Sequence, residues 1–121
     1  MKKILIVDDQ KDVRELVEIT LRSEEYKILQ ATNAKDAVET VKAEKPDLVI
    51  MDIMMPGELD GLQATRILKE NPQTMDTRII MLTAKGQTND WDEGFKAGAA
   101  GYFIKPFSPL DLIKKVEEMI G

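Results

Sequence analysis

Five short apolar runs, each followed by a segment with helical spacing, are the feature that most limits what this chain can fold into. An apolar run of about four to eight residues is typical of a strand covered on both faces, and alternating strands and helices are typical of a parallel sheet. Runs one, three and four are almost entirely Ile, Leu, Val and Met, whereas the mixed second run suits a sheet edge. The predicted strands are Ile4–Val7, Lys27–Ala31, Leu48–Met51, Arg78–Leu82 and Gly101–Ile104.

The segments between these runs carry start and stop signals for helices. In the first segment Val13, Leu16, Val17 and Leu21 recur at helical spacing, which predicts one buried face. The other predicted starts have a capping residue or acids in the first turn, and the predicted ends precede a Pro or Gly. These signals are Asn33 with Asp36, Lys45-Pro46, Asp60, Pro72, Asp90 with Asp92 and Glu93, Gly98, and Ser108-Pro109.

This order of elements predicts one α/β domain, because 121 residues suffice for a single core. We predict a doubly wound five-stranded parallel sheet in the order 2-1-3-4-5, a (βα)5 flavodoxin-like fold. In that fold ligands bind beyond the carboxyl ends of strands one and three.

Reactive side chains follow four of the five predicted strands: Asp8 and Asp9, then Asp52, Thr83 and Lys105. Taken singly, each has an ordinary explanation, since the acid pair could cap the first helix and Thr83 could be a plain strand residue. The predicted topology, however, brings all of them to one rim, where three carboxylates need a counter-charge. A divalent cation together with Lys105 supplies that charge, so the sequence predicts a cation site.

Composition narrows the possible chemistry. The chain has no Cys and no His, which excludes disulfides, zinc–thiolate sites and the commonest general base. A net charge of −5 argues against nucleic-acid binding by this domain. No apolar run approaches the ~18 residues of a membrane span, and the N-terminus has no signal-peptide pattern. We therefore expect a cytoplasmic protein without membrane insertion.

Four motifs in this order resemble the receiver domain of two-component response regulators: ILIVDDQ, LVIMDIMMPG, IIMLTAK and GAAGYFIKPF. The resemblance covers the whole chain and implies one receiver domain over residues 1–121. A stand-alone receiver is the expected type, because the chain ends at Gly121 directly after the last predicted helix.

The resemblance also implies roles for the residues at the strand ends. Asp52 is then the phosphoacceptor, which takes a phosphoryl group from a phosphohistidine of a partner kinase. Asp8, Asp9 and Asp52 are then ligands of Mg²⁺, together with the main-chain carbonyl of Met54. Lys105 pairs with the phosphoryl oxygens in this scheme.

Two further residues belong to the implied switch. Thr83 hydrogen-bonds the phosphoryl group once it has formed, and Tyr102 turns inward as the signal spreads. The resemblance implies in addition a cis peptide bond between Lys105 and Pro106.

One loop departs from the family pattern. Two residues, Glu58 and Leu59, lie between Gly57 and Asp60, where the family usually has one. We therefore expect the loop after Asp52 to bulge.

The expected function is a phosphorylation-dependent signalling switch or phosphorelay intermediate, not a multiple-turnover enzyme. Its expected partners are a histidine kinase or histidine phosphotransfer protein and a downstream protein target. The alternative is a Mg²⁺-dependent aspartyl-phosphate phosphatase of haloacid-dehalogenase type, which also uses a strand-end Asp. That family places its two acids two residues apart on one strand, whereas Asp8 and Asp9 are adjacent.

Asp9→Asn tests the cation site against the helix cap. If the three acids cluster, removal of one charge stabilises the metal-free fold, since two charges ~4 Å apart repel by on the order of 4 kcal/mol before screening. We expect Asp9→Asn to melt higher than wild type in EDTA, and millimolar Mg²⁺ to raise only the wild-type melting temperature. A helix cap predicts instead a near-neutral variant and no specific effect of Mg²⁺.

Overall fold

A computed structural model describes residues 1–84 and 97–121 of the protein. Within these residues there are five strands and four helices. The strands are β1 (Lys2–Val7), β2 (Tyr26–Ala31), β3 (Leu48–Asp52), β4 (Arg78–Ala84) and β5 (Gly101–Lys105). The helices are α1 (Lys11–Leu21), α2 (Ala34–Glu44), α3 (Gly61–Glu70) and α4 (Pro109–Ile120). The start predicted at Asp90 lies outside the described residues.

The strands form one parallel sheet in the order β2-β1-β3-β4-β5, which confirms the predicted fold class. β3 is the middle strand, with β1 and β4 beside it, and every residue of β3 is buried. The mixed strand β2 is at an edge, as its composition predicts. The order places the carboxyl ends of β1 and β3 side by side.

Two apolar layers cover the sheet. Side chains of α2 and α3, among them Val41 and Leu68, pack with Leu5 and Val49 on one face. Side chains of α1 and α4, among them Val17, pack on the other face with Ile4 and Ile50. This division follows from the alternation of side chains along each strand, because successive residues of β1 and β3 point to opposite faces.

No helix of residues 1–84 and 97–121 is long and apolar enough to cross a membrane.

The predicted helix starts are confirmed at three capping residues. Asn33 accepts a hydrogen bond from the amide of Asp36, and Ser108 accepts one from the amide of Asp111. Asp60 and Gln63 form a reciprocal capping box at the start of α3. These bonds satisfy amides that would otherwise lack a partner in the first turn.

The predicted buried face of α1 is wrong at one position. Val17 and Leu21 are buried, but the side chain of Leu16 is 51% exposed. Each residue advances about 100° around a helix, so Leu16 lies about 100° from Val17 and about 140° from Leu21. Because α1 packs on the sheet through Val17 and Leu21, Leu16 turns toward solvent.

The first turn of α3 lies very close to the end of β3. A Cβ atom at Gly61 would lie 2.9 Å from the Cα of Ile53 and closer still to the carbonyl oxygen of Asp52. The amide of Gly61 also donates to the carbonyl of Ile53 at 2.9 Å. Only a residue without a side chain fits this approach, which sets the position of the loop around Asp52.

Gly61→Ala is expected to lower the free energy of unfolding by roughly 1–3 kcal/mol, because the added methyl group must displace main-chain atoms. Chemical denaturation measures the loss. Gln63→Ala is the control, since it removes one bond of the same helix start without adding an atom near Asp52, and we expect a smaller loss. A Gly61→Ala variant as stable as wild type would contradict the close approach.

Candidate functional site at the carboxyl rim of the sheet

The parallel ladders bring the predicted site residues to one edge of the sheet. Asp8 and Asp9 follow β1, Asp52 ends β3 and Lys105 ends β5. Val7 pairs in register with Met51, so β1 and β3 end at the same level. The prediction from strand ends is therefore confirmed in its geometry for all four charged side chains.

The three acids form a compact cluster. One carboxylate oxygen each from Asp8, Asp9 and Asp52 lies within 4.8 Å of the others. Asp8 is completely buried and Asp52 is 5% exposed, whereas Asp9 is exposed. The cluster therefore has a buried floor of two carboxylates and one open, solvent-facing side.

Lys105 bridges the two buried acids. Its Nζ donates to Asp8 Oδ2 at 2.8 Å and lies 3.1 Å from Asp52 Oδ1. The lysine side chain is itself largely shielded, at 22% exposed. The peptide bond from Lys105 to Pro106 is cis, as the family resemblance implies.

The second oxygen of Asp8 is used by the main chain. Asp8 Oδ1 accepts the amide hydrogen of Gln10 at 2.9 Å. Gln10, and neither acid, occupies the N-cap position of α1, and the Gln10 side chain makes no capping hydrogen bond. The acid pair is therefore not the N-cap of α1, which removes the simplest alternative to a cation site.

Burial and like charge shift the ionisation of the cluster. Desolvation, followed by the charge of Asp8, raises the pKa of Asp52 to about 6, and the attraction of Lys105 only partly offsets this. For Lys105, burial lowers the pKa, but the hydrogen bond to Asp8 and the charges of Asp52 and Asp8 outweigh it, so the net pKa is raised. Two of the three carboxylates, Asp8 and Asp52, thus share one firmly charged ammonium group.

This arrangement suits a hard cation. Mg²⁺ prefers carboxylate and carbonyl oxygens and keeps several of its waters, so it fits a site with two buried acids and an open side. A bound divalent cation would also supply the positive charge that Lys105 alone does not. The oxygen-only donor set of Asp8, Asp9 and Asp52 thus fits the predicted ion.

Thr83 and Tyr102 lie on the strands beside this cluster. Thr83 is buried and comes one residue after Leu82, which pairs in register with Asp52. Tyr102 is half-buried on β5, where it pairs with Met81 and packs against the core layer of α2 and α3. The structure thus has Thr83 at the rim and Tyr102 nearer the middle of the sheet edge.

The loop after Asp52 contains the proposed carbonyl ligand. Met54 has an exposed side chain, and the ligand role of its carbonyl remains a prediction. Gly57 adopts φ +115°, a conformation that favours glycine. Leu59, one of the two residues between Gly57 and Asp60, packs against the core. A groove of about 740 Å³ separates this loop from the start of α2.

Sequence reasoning missed one residue that touches the site. Arg14, the fourth residue of α1, donates from Nη1 to the main-chain carbonyl of Asp8 at 2.9 Å. Nothing in the sequence marks this arginine, because surface helices commonly carry such residues and its partner is a main-chain atom.

Asp52→Asn tests the electrostatic description. The pKa of Asp52 in the folded state lies above its unfolded value, so the folded state favours the protonated form of this side chain. The contribution of that protonated form to stability is full below the unfolded pKa and is lost as the pH rises through about 6. In metal-free buffer at pH 8, Asp52→Asn should therefore exceed the wild-type free energy of unfolding by on the order of 2–3 kcal/mol. The difference should shrink as the pH falls below 6.

Urea denaturation across this pH range measures the difference. Asp12→Asn is the matched control, because it removes the same charge from an exposed position on α1. We expect that variant to change stability little and without the same pH dependence. A constant difference between Asp52→Asn and wild type from pH 5 to pH 8 would contradict the description.

Sequence comparisons link the chain to known regulators. The profile of the response regulator receiver domain matches residues 4–117. The chain is 40% identical over 119 residues to the phosphate regulon transcriptional regulatory protein PhoB of Pseudomonas aeruginosa, and the match covers 98% of the chain and 52% of that protein. It is 39% identical over 118 residues to the transcriptional regulatory protein SrrA of Staphylococcus aureus, with 98% and 47% covered. The chain thus spans about half the length of these relatives.

Solved structures of response regulators resemble this chain over nearly its whole length. The chemotaxis response regulator CheY4 of Vibrio cholerae superposes with a TM-score of 0.88 at 30% identity, covering 99% of each chain. The receiver domain of the Francisella response regulator 1452 superposes with a TM-score of 0.87 at 30% identity, covering 98% of this chain and 96% of that one. The protein therefore belongs to the response regulator receiver domain family of two-component systems.

Proposed function

We propose that this receiver domain, residues 1–121, is a phosphorylation-dependent switch or phosphorelay intermediate that accepts its phosphoryl group on Asp52. The observation that carries the proposal is the setting of Asp52, a shielded carboxylate 3.1 Å from Lys105 within a cluster of three acids. A bound phosphoryl group needs neutralising charge more than it needs a covalent helper; Lys105 offers part of that charge, and a cation held by the three acids would offer the rest.

The nucleophile in this scheme is a carboxylate oxygen of Asp52. One of its oxygens, Oδ1, contacts Lys105. A bond forms between a carboxylate oxygen of Asp52 and phosphorus while the phosphorus–nitrogen bond of a phosphohistidine breaks, and the electron pair stays on the imidazole nitrogen. Asp52 is already largely ionised at neutral pH, so the chain needs no His to activate it.

Asp8, Asp9, Asp52 and the main-chain carbonyl of Met54 would hold Mg²⁺. When bound, the ion supplies positive charge to the phosphoryl oxygens. Support for this role comes from the oxygen-only donors of the three acids and their mutual distances. The open side at Asp9 leaves room for the waters that Mg²⁺ retains.

Lys105, Thr83 and Tyr102 complete the proposed switch. The ammonium of Lys105 moves from Asp8 and Asp52 toward the new phosphoryl oxygens, as a point charge does on phosphate. The hydroxyl of Thr83 bonds the phosphoryl group, and Tyr102 changes its packing on β5 in response. The change is a shift between two arrangements that the free protein already samples.

Partners follow from the same chemistry. A histidine kinase or histidine phosphotransfer protein donates the phosphoryl group, and a downstream protein reads the phosphorylated state. The relatives PhoB and SrrA are named as transcriptional regulators. For this chain we propose phosphoryl acceptance by the domain itself, in the cytoplasm, without direct contact to nucleic acid or membrane.

Acetyl phosphate labelling tests the proposal. With Mg²⁺ present, intact mass spectrometry should show one phosphoryl group per chain, located at Asp52 and absent in Asp52→Asn. EDTA should abolish the labelling, and the control Asp12→Asn should retain it. Labelling that survives Asp52→Asn or EDTA would refute the proposed site.

Labelling together with an ester hydrolysis assay distinguishes a switch from a phosphatase. A switch is labelled stoichiometrically and does not hydrolyse a generic phosphate ester such as p-nitrophenyl phosphate. Sustained turnover of that ester, lost in Asp52→Asn, would favour the haloacid-dehalogenase type of reaction instead.

A further inference from the structure

A chain of polar contacts runs along α1 and the edge strand β2 and ends at the acid cluster. Arg14 Nη1 donates to the carbonyl oxygen of Asp8 at 2.9 Å, and Arg14 Nε donates to Gln30 Oε1 at 3.0 Å. Gln30 Nε2 donates in turn to Glu18 Oε1 at 3.0 Å, and the other oxygen of Glu18 accepts from Arg22 at 3.2 Å. The planar guanidinium of Arg14 therefore bonds Gln30 of β2 through Nε and the Asp8 carbonyl through Nη1.

The carbonyl that Arg14 contacts belongs to the peptide unit between Asp8 and Asp9. A peptide unit is planar, so fixing its carbonyl also fixes the direction in which the chain enters Asp9. The Asp8 side chain has its own supports in Lys105 and the amide of Gln10. In residues 1–84 and 97–121, no hydrogen bond or ion pair to the Asp9 carboxylate is found, so its place in the cluster depends on the main chain.

The charge of Arg14 would by itself work against a cation site. A positive group near the acids repels a divalent cation, so its removal should strengthen cation binding on electrostatic grounds alone. If Arg14 instead holds the loop in its binding geometry, its removal should weaken binding. The two roles of Arg14 thus predict effects of opposite sign.

We propose that Arg14 is a positioning residue for the cation site, and that it holds the Asp8–Asp9 peptide so that the exposed Asp9 carboxylate stays beside Asp8 and Asp52. Gln30 is its anchor on β2. The inference rests on the proposed Mg²⁺ role of the cluster. Residues behind metal ligands commonly change metal affinity by about 10–100-fold when they are replaced.

Arg14→Gln tests the proposal, because Gln keeps a good helix former while removing the guanidinium. Calorimetric titration should show Mg²⁺ binding roughly tenfold weaker than wild type. Gln30→Ala should weaken it in the same direction but less, and serves as the test variant if Arg14→Gln does not fold. Lys11→Gln is the matched control: it removes a positive charge from the exposed start of α1, where Lys11 pairs only with Glu15 among the described residues. Its Mg²⁺ affinity should be unchanged or higher.

A metal-free measurement accompanies the titration. Amide relaxation should give Asp9 an order parameter near the ~0.85 of rigid backbone in wild type, and a clearly lower value in Arg14→Gln. Unchanged or tighter Mg²⁺ binding in Arg14→Gln, an Asp9 amide that stays rigid, or an equal loss in Lys11→Gln would each overturn the proposal. If wild type itself binds no Mg²⁺, the proposed cation role fails, and the relaxation of Asp9 alone decides whether Arg14 holds the loop.

Discussion

The bridge from Lys105 to Asp8 and Asp52 is the interaction on which the site depends. This bridge joins the ends of β1, β3 and β5, and Lys105 lies 97 positions from Asp8 in the chain. A buried carboxylate without a partner is costly, so Asp8 tolerates complete burial only because Lys105 and the Gln10 amide occupy its oxygens. Correct closure of the sheet edge at β5 is therefore a condition for an ordered acid cluster at its centre.

The fold was predictable from sequence because its signals were redundant. Apolar strands, capping residues and the alternation of elements all indicated one parallel sheet, and the observed order β2-β1-β3-β4-β5 agrees. The charged residues of the site were predictable for the same reason, since topology alone brings strand ends to one rim. Placing Asp52 and Lys105 at this rim required no knowledge of side-chain geometry.

Features that depend on the angle of packing were not predictable in this way. The spacing of Leu16 fits a buried face, but the exact roll of α1 on the sheet turns it to solvent. The contact of Arg14 with the Asp8 carbonyl requires the relative placement of α1, β2 and the first loop, which no local pattern encodes. The ionisation of Asp52 likewise depends on burial, and burial is a property of the whole fold.

The sharing of Lys105 between two acids has a thermodynamic consequence. A ligand on Asp52 that attracts the ammonium away from Asp8 leaves Asp8 Oδ2 without its donor, and a cation beside Asp8 then restores the lost charge balance. Each event would then make the other more favourable, so a cation at Asp8 and a ligand at Asp52 would bind with positive cooperativity. Linkage requires this coupling to be reciprocal: whatever factor the cation contributes to ligand affinity at Asp52, the ligand contributes to cation affinity at Asp8.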